Sequence, residues 1–302
     1  MAVTQRTADE LAARGAAAVV LAVVVWGFGP VLIKKIELPN LVLAFWRLWL
    51  GFGVLAVAHA VNGGRIRRAA LRQSALGGVC FGANVALFTA AVQRTSIAEV
   101  TLVSAFQPVL MLLLAGPLFG ERPGRREILL IAASLGGVVV FEIGAMQGPV
   151  WSLSGYLFAV GALLTFTGYY LASKRARVTL EPVEYMSSAL LVSALVVTPV
   201  VLASGQPVAD VRGVTWIWLA LFVLFPGALG HLLVNWAHRF VDVTISSVIV
   251  VGLPVVAALL AWVLLGETLG PLELIGGLAV IVCVAAIATR PTLSGAAEDL
   301  PL

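Results

Sequence analysis

Arg47 places a charge inside an apolar stretch of the chain that is long enough to cross a lipid bilayer. It stands eight residues into the segment 39–61, ~12 Å from that end of a helix that rises ~1.5 Å per residue. Charges at such depth are expensive and usually face a bundle interior or a water-filled cavity. The guanidinium could bind a carboxylate or phosphate with two N–H groups. Alternatively, an ion pair or carbonyl contacts could hold its helix in place.

A histidine and two amides add polar chemistry within other apolar segments. His231 precedes Asn235 by four residues, so both side chains share a helix face. Asn84 lies near the middle of a different segment. Histidine changes its charge near neutral pH, which suits proton coupling or substrate sensing. The alternative for all three side chains is a hydrogen bond to a neighbouring helix.

Two further apolar segments carry a cluster of hydroxyl or amide side chains ahead of a central proline. The first cluster is Thr101, Ser104 and Gln107, and the second is Thr244, Ser246 and Ser247. Pro108 and Pro254 follow these clusters, and proline frees a backbone carbonyl one turn earlier. We expect the two prolines to act as hinges. The polar groups, of which Ser247 is the main candidate in the second cluster, either line a cavity or pack between helices.

One acid and two aromatic residues complete the candidates. Glu142 lies about three residues from the end of its segment, where it could pair with Arg47, take up protons, or reach the membrane interface. Trp26 is well inside the first segment, and we expect it to line a cavity together with Tyr169. The alternative is an interfacial position, since Trp and Tyr gather at membrane interfaces.

These residues must be positioned by membrane-spanning helices. The chain is 61% hydrophobic and 11% charged, with a mean hydropathy of +1.04, which is typical of a polytopic membrane protein. Because about 20 apolar residues make one crossing, the sequence predicts ten spans. They are 15–33, 39–61, 74–92, 96–119, 128–145, 154–173, 183–204, 214–237, 243–265 and 271–289.

Other classes of protein fit this composition poorly. Runs such as 16–25 are apolar on every face, which argues against a barrel of alternating strands. Cys80 and Cys283 each fall inside a span, so they form neither a disulfide framework nor a metal site. We expect no cofactor and no nucleic-acid partner, because the basic residues lie in short loops beside the spans.

The distribution of basic residues predicts the orientation. Fourteen of the 19 lysines and arginines fall on the side of the termini, four on the other side, and Arg47 within a span. Because the loops are short, the positive-inside rule places both termini in the cytoplasm. The cytoplasmic set is Arg6, Arg14, Arg65, Arg67, Arg68, Arg72, Arg122, Arg125, Arg126, Lys174, Arg175, Arg177, Arg239 and Arg290.

The chain also repeats itself. Residues 95–138 align without gaps over 241–284. The matched positions, each 146 residues apart, are Pro108 with Pro254, Gly120-Glu121 with Gly266-Glu267, and Glu127 with Glu273. Each half holds five spans, an odd number, so the second half should enter the membrane in the opposite sense. Inverted repeats of this kind are the architecture of secondary transporters, whose binding site lies between the halves.

The half-repeat is similar to the EamA repeat of the drug/metabolite transporter superfamily. The resemblance covers both halves and depends on Trp26-Gly27, the pair Trp46-Arg47, the mid-helix prolines and the Gly-Glu pairs. It implies two inverted five-helix repeats around a central cavity, and carriage, often export, of amino acids, other metabolites or drugs. The second half departs from the pattern, because the stretch that corresponds to Arg47, residues 186–190, carries no charge.

Five other functions compete with a metabolite carrier. An exporter of drugs or lipophilic cations would use the aromatic residues as its site. A sugar-phosphate or nucleotide-sugar exchanger calls for several deep cations, whereas Arg47 stands alone. A channel would also need polar residues in the bundle. A membrane enzyme or an ATP-driven pump would carry motifs that the sequence lacks.

The sequence therefore predicts an all-α integral membrane protein of a bacterial inner membrane, with a small-molecule substrate. The expected units are an N-terminal tail (1–14), a first repeat (15–145), a second repeat (154–290) and a C-terminal tail (291–302). The lipid bilayer is the expected surrounding, and a homodimer is one assembly that the sequence leaves open.

Overall fold

The structure is a computed structural model that describes residues 2–33, 35–92, 94–95, 97–121, 123–145, 152–266 and 268–289. Helices make up its regular elements. The first seven are α1 (Ala2–Ile33), α2 (Asn40–Val61), α3 (Arg68–Val92), α4 (Ile97–Ser104), α5 (Gln107–Phe119), α6 (Arg125–Ala145) and α7 (Leu153–Ala176). The others are α8 (Pro182–Ala203), α9 (Thr215–Phe222), α10 (Gly230–Ala237), α11 (Val243–Val250), α12 (Leu253–Leu265) and α13 (Pro271–Ala288).

These helices form ten stretches that are long and apolar enough to span a membrane, which confirms the predicted all-α membrane fold. Several helices run beyond the predicted spans. For example, α1 starts at Ala2 and α3 starts at Arg68. Hydropathy detects only the part of a helix that lipid would surround, whereas Ala, Arg, Gln and Glu continue a helix into polar surroundings.

The bundle has two distinguishable sides. One apolar cluster joins the first half of α1, the start of α6, the end of α10, the start of α11 and the end of α13. We call this the terminal side, because α1 begins and α13 ends there. A second cluster joins the start of α2 with residues around Val211 and Leu219, and it marks the opposite side.

The fourth and ninth spans are both interrupted, and the interruptions match residue for residue. Shifting α4 and α5 by the 146-residue offset of the sequence repeat gives the bounds of α11 and α12. Each break comes just before Pro108 or Pro254, which occupy the first turn of the following helix, where a missing N–H is tolerated. Gly120 and Gly266 end these helices at φ 73° and 71°, in the left-handed region that suits glycine.

The two interrupted units run in opposite directions. Glu121, just beyond the end of α5, accepts hydrogen bonds from the amides of Val243 and Thr244 at the start of α11. Therefore α5 ends on the terminal side, where α11 begins. On the opposite side the two units separate: α4 packs on α6 and α7, whereas α12 packs on α1 and α13.

Small residues allow pairs of long helices to approach each other closely. In the α6 and α13 pair, the Cα of Gly276 lies against the backbone of Gly137 and Phe141. In the α3 and α8 pair, Gly82 faces the backbone of Ser193, whose hydroxyl donates to the carbonyl of Gly78 at 2.7 Å. Close backbone approach of this kind supports helix association in lipid, where water does not drive it.

The α6 and α13 contact can be tested with Gly276→Ala. The added methyl group would overlap the amide nitrogen of Phe141 and the carbonyl oxygen of Gly137, and overpacking typically costs about 1–3 kcal/mol. We expect a lower thermal unfolding midpoint in detergent. The matched control is Gly136→Ala, since a methyl group there meets nothing within 4 Å. Equal midpoints for the two variants would contradict the contact.

Candidate functional site

Four polar side chains from three spans meet inside the bundle. We call Arg47, Tyr169, His231 and Asn235 the central polar cluster. The guanidinium of Arg47 lies 3.3 Å from Nε2 of His231, and Nδ1 of His231 lies 3.4 Å from the hydroxyl of Tyr169. Asn235 donates to that hydroxyl at 2.9 Å. Tyr169, His231 and Asn235 are buried, whereas Arg47 is partly exposed.

The surroundings of Arg47 are aromatic and uncharged. Its guanidinium carbon lies 5.1 Å from the ring centre of Phe222 and 6.0 Å from that of Phe81. Phe81 also packs on the His231 ring at 4.7 Å. Among the described residues, no carboxylate forms an ion pair with Arg47. Within the described part of the chain, its guanidinium therefore contacts a neutral acceptor and ring faces.

The donors of Arg47 fix the hydrogen-bond directions in the cluster. A guanidinium only donates, so Nε2 of His231 must accept and its proton must sit on Nδ1. Nδ1–H then donates to the oxygen of Tyr169, which also accepts from Asn235. The Tyr169 hydroxyl is left to donate to the sulfur of Met186 at 3.7 Å. His231 is thus a neutral imidazole in this arrangement, assigned by its partners.

The network continues from Asn235 towards the terminal side. Ser173 donates to the side-chain oxygen of Asn235, and Nδ1 of His238 lies 3.0 Å from that serine hydroxyl. Because the Ser173 proton is already used, Nδ1–H of His238 donates and its Nε2 is free to accept from Ser246 at 3.5 Å. Arg177 donates to the backbone carbonyl of Asn235 at 2.9 Å.

A buried ion-pair group lies on the terminal side. Lys174 lies 3.0 Å from a carboxylate oxygen of Glu121 and 3.3 Å from Asp242. Glu121 also accepts from the Thr244 hydroxyl at 2.7 Å, in addition to the two α11 amides. Since Glu121, Lys174 and Thr244 belong to three different spans or their ends, this group ties α5, α7 and α11 together.

Trp26 supports the central polar cluster from α1. Its indole N–H donates to the carbonyl of Pro226 at 3.0 Å, and its ring packs on His231 at 4.8 Å. Pro226 lies in a π-helical turn, Val223–Leu229, in the eighth span, and such turns often occur at functional sites. Gly230 gives the indole room, because a methyl group there would overlap the ring. Trp26 is buried, with its donor already used.

The remaining predicted residues lie apart from this cluster. Thr101 donates to Glu142 at 2.7 Å, so this buried acid is bonded to the threonine rather than to Arg47. Ser104 and Ser247 bond to the backbone of their own helices, and Asn84 donates to the carbonyl of Ala162 at 2.9 Å. The Asn84 bond joins α3 to α7 and the Thr101 bond joins α4 to α6, whereas the two serine bonds stay within one helix.

Gln107 stands out within this second group. It is buried at the break between α4 and α5, and its side-chain nitrogen has no hydrogen-bond partner in the described part of the chain. Pro108 follows it directly in the first turn of α5. Pro254 takes the same place in α12, next to the break at Val251 and Gly252.

Comparison with known proteins gives one consistent answer. The model of the EamA-like transporter family matches twice, over residues 13–142 and 153–289. The chain belongs to the EamA-like transporter family. An uncharacterized transporter from Archaeoglobus fulgidus is 27% identical over 264 residues, which covers 87% of this chain and 92% of that protein. A crystal structure of another protein shares the fold with a TM-score of 0.78 at 20% identity, covering 91% of this chain and 97% of that one.

Membership of the EamA-like family makes the chain a multi-pass membrane transporter. Several residues of its polar network were not singled out from the sequence. Lys174 and Arg177 were counted as loop charges and are buried, and Ser173 and His238 received no role. Their one shared signal is position, since all four lie within three residues of a span end on the terminal side.

The network around His238 predicts a pH effect on stability. Burial, followed by the positive charges of Lys174 and Arg177, holds the pKa of His238 well below its usual value of about 6.5. Burial also lowers the pKa of Arg177, to about 10, so its charge persists at neutral pH. Below pH ~6.5 the unfolded chain binds a proton that the folded state does not, and folding is destabilised by up to ~1.4 kcal/mol per pH unit.

We therefore expect the thermal midpoint of His238→Gln to fall less than that of the wild type between pH 6.5 and 5. The interval begins at 6.5 because the ordinary pKa of histidine is about 6.5. The measurement is a series of thermal scans in detergent at fixed salt. His59→Gln, which removes a histidine at the end of α2, serves as the control. A variant slope equal to that of the wild type would show that His238 does not carry this effect.

Proposed function

We propose that this protein is a secondary transporter that carries small carboxylate-bearing metabolites, anionic or zwitterionic, by alternating access. The observation behind this proposal is the guanidinium of Arg47, a half-buried residue that lies within a span and has no carboxylate partner among the described residues. A carboxylate could replace His231 as the acceptor of its N–H groups. Charge-assisted pairs of this type are strong and directional.

The positive charge of Arg47 argues against a lipophilic cation as the cargo. A lipophilic cation would meet the positive charge of Arg47, and no acid among the described residues contacts the central polar cluster to offset it. The aromatic rings of Phe81 and Phe222 instead suit an apolar part of a substrate held beside the guanidinium. Amino acid-like or aromatic carboxylates combine the two features.

The ion-pair group on the terminal side supplies a basis for alternating access. It holds α5 against α11, while α4 and α12 pack on different neighbours on the opposite side. The two interrupted units are antiparallel and share their helix bounds. If α4 and α12 came together on the opposite side while α5 and α11 separated on the terminal side, the site would become exposed to the terminal side. In this proposal the protein is a carrier rather than a channel or an enzyme, and gradients or exchange provide the energy.

The distribution of basic residues supports a cytoplasmic location for the terminal side. We place the protein in a bacterial inner membrane, with export as its direction. The membrane and direction are proposed on family resemblance alone. Transport into inside-out vesicles, compared with right-side-out vesicles, measures the direction.

Arg47→Gln tests the site. The screen is a thermal-shift assay of detergent-purified protein against amino acids, organic anions including benzoate, and lipophilic cations, since a ligand of the folded state raises stability. We expect carboxylates to stabilise the wild type, and Arg47→Gln to weaken their binding by about 10- to 100-fold, as expected for loss of ~1.5–3 kcal/mol from a charged hydrogen bond.

The matched control is Arg68→Gln, which removes an exposed arginine at the start of α3 and should leave binding unchanged. Stabilisation by lipophilic cations alone would overturn the proposed cargo. Equal carboxylate affinity in Arg47→Gln and the wild type would move the site away from Arg47.

Glu121→Gln tests the closure of the terminal side. The amide keeps the size of the side chain but removes the charge that pairs with Lys174 and one acceptor for the α11 amides. We expect the terminal side to open more often. A cysteine introduced as Ser247→Cys, in a background with Cys80→Ala and Cys283→Ala, should then react several-fold faster with an impermeant maleimide added from the terminal side.

A comparison variant for this experiment is Asp210→Asn, which removes an exposed ion pair with Arg212 on the opposite side. It should not change the labelling rate. Unchanged labelling in Glu121→Gln would mean that this ion-pair group does not control access from the terminal side.

A further inference from the structure

We infer that the contact between Arg47 and His231 couples the binding of a carboxylate to the uptake of one proton by His231. This inference rests on the proposed function, because it needs an anion at Arg47. It assigns a distinct task to each side chain: Arg47 receives the carboxylate, and Nε2 of His231 receives the proton.

With its N–H group directed at the imidazole, Arg47 keeps His231 neutral. Its N–H group points at Nε2 from 3.3 Å, so a proton on that nitrogen would place donor against donor and cation beside cation. Nδ1 is already protonated and donates to Tyr169, as the hydrogen-bond directions require. Nε2 is therefore the ring atom that can gain a proton, and only after Arg47 has turned away.

Among the described residues, the other groups around His231 carry no competing charge. Arg47 from α2 and Tyr169 from α7 are the charged or titratable groups that contact it. The helices α1 and α3 present the rings of Trp26 and Phe81. Asn235 and Met186 lie beyond the tyrosine hydroxyl and are uncharged. The charge of Arg47 therefore controls the protonation of His231.

A bound carboxylate reverses this control. When the guanidinium turns to the carboxylate, its positive charge is neutralised and Nε2 loses its donor. A buried acceptor without a partner is costly, and a proton from the aqueous side removes that cost by making Nε2 a donor to the carboxylate. The balance is simple: one monoanion and one proton enter together, and no bond other than hydrogen bonds forms or breaks.

The net charge of the site stays constant through this exchange. The empty site carries the single charge of Arg47 with a neutral His231. The loaded site carries the arginine, the imidazolium and the carboxylate, which again sum to one positive charge. A proton on His231 without the anion would place two positive charges side by side in a low-dielectric interior, which is expensive, so the proton enters together with the anion.

The test measures protons taken up when benzoate binds. Benzoate is a monoanion throughout the range from pH 6 to 8.5, because a carboxyl group ionises near pH 4. Calorimetric titration of the detergent-purified wild type in Tris and in triethanolamine, which differ in heat of ionisation and add no competing anion, gives the number of protons per benzoate. We expect a value near one, and a dissociation constant that tightens by about tenfold per pH unit of acidification where His231 titrates.

His231→Gln is the decisive variant. The glutamine oxygen can still accept from Arg47, but the amide cannot take up a proton. We expect benzoate binding to persist, proton uptake to fall towards zero, and the affinity to change less than about twofold across the pH range. His59→Gln, at the end of α2, should take up the same number of protons as the wild type.

The outcomes separate this inference from the proposed function. Benzoate binding to the wild type without proton uptake would overturn the inference and leave the carboxylate site in place. Proton uptake that persists in His231→Gln would also overturn it, since the proton would then reside elsewhere. Absence of carboxylate binding in the wild type would overturn both. Should His231→Gln fail to fold, the buffer comparison on the wild type still decides whether a proton enters with the anion.

Discussion

The charge of Arg47 sets the conditions for the groups packed around it. It lies within a span, with ring faces and an imidazole as neighbours and no carboxylate among the described residues. An intramembrane charge must find partners or a route to water. Here the partner is the unprotonated nitrogen of His231, which forces the proton of that ring onto Nδ1. From there each hydrogen bond towards Tyr169 and Asn235 has its direction determined.

Backbone groups left without intrahelical partners at helix starts and irregular turns impose a second condition, because lipid cannot hydrogen-bond to them. The structure meets it with side chains from other spans. Glu121 accepts from the first amides of α11, and Trp26 donates to the carbonyl of Pro226 in the π-helical turn. These bonds join different spans, so each also fixes the position of one span relative to another. The π-helical turn is linked to the central polar cluster in this way, because Trp26 also packs on His231.

Local chemistry explains which features could be predicted from the sequence. Span number follows from hydropathy and length, and the breaks before Pro108 and Pro254 follow from the missing proline N–H. Contacts between spans depend on tertiary packing, which a single sequence does not encode in any short pattern. Lys174 illustrates this limit: the positive-inside rule treats it as a loop charge, whereas the structure buries it against Glu121. Proximity of Arg47 and His231, 184 residues apart, was likewise beyond sequence reasoning.

The two halves differ at the repeat position of Arg47, and the structure shows what takes its place. The fourth and ninth spans share their helix bounds at the repeat offset, yet the stretch that corresponds to Arg47 carries Met186 instead of a charge. Met186 lies beside Tyr169 and Asn235, where its sulfur accepts from both. A second guanidinium there would face the first across a few uncharged side chains, and their repulsion in a low-dielectric interior would oppose closure. At this repeat position the framework thus carries a cation in one half and a neutral acceptor in the other, which suits the proposed cargo with a single carboxylate better than one with several negative charges.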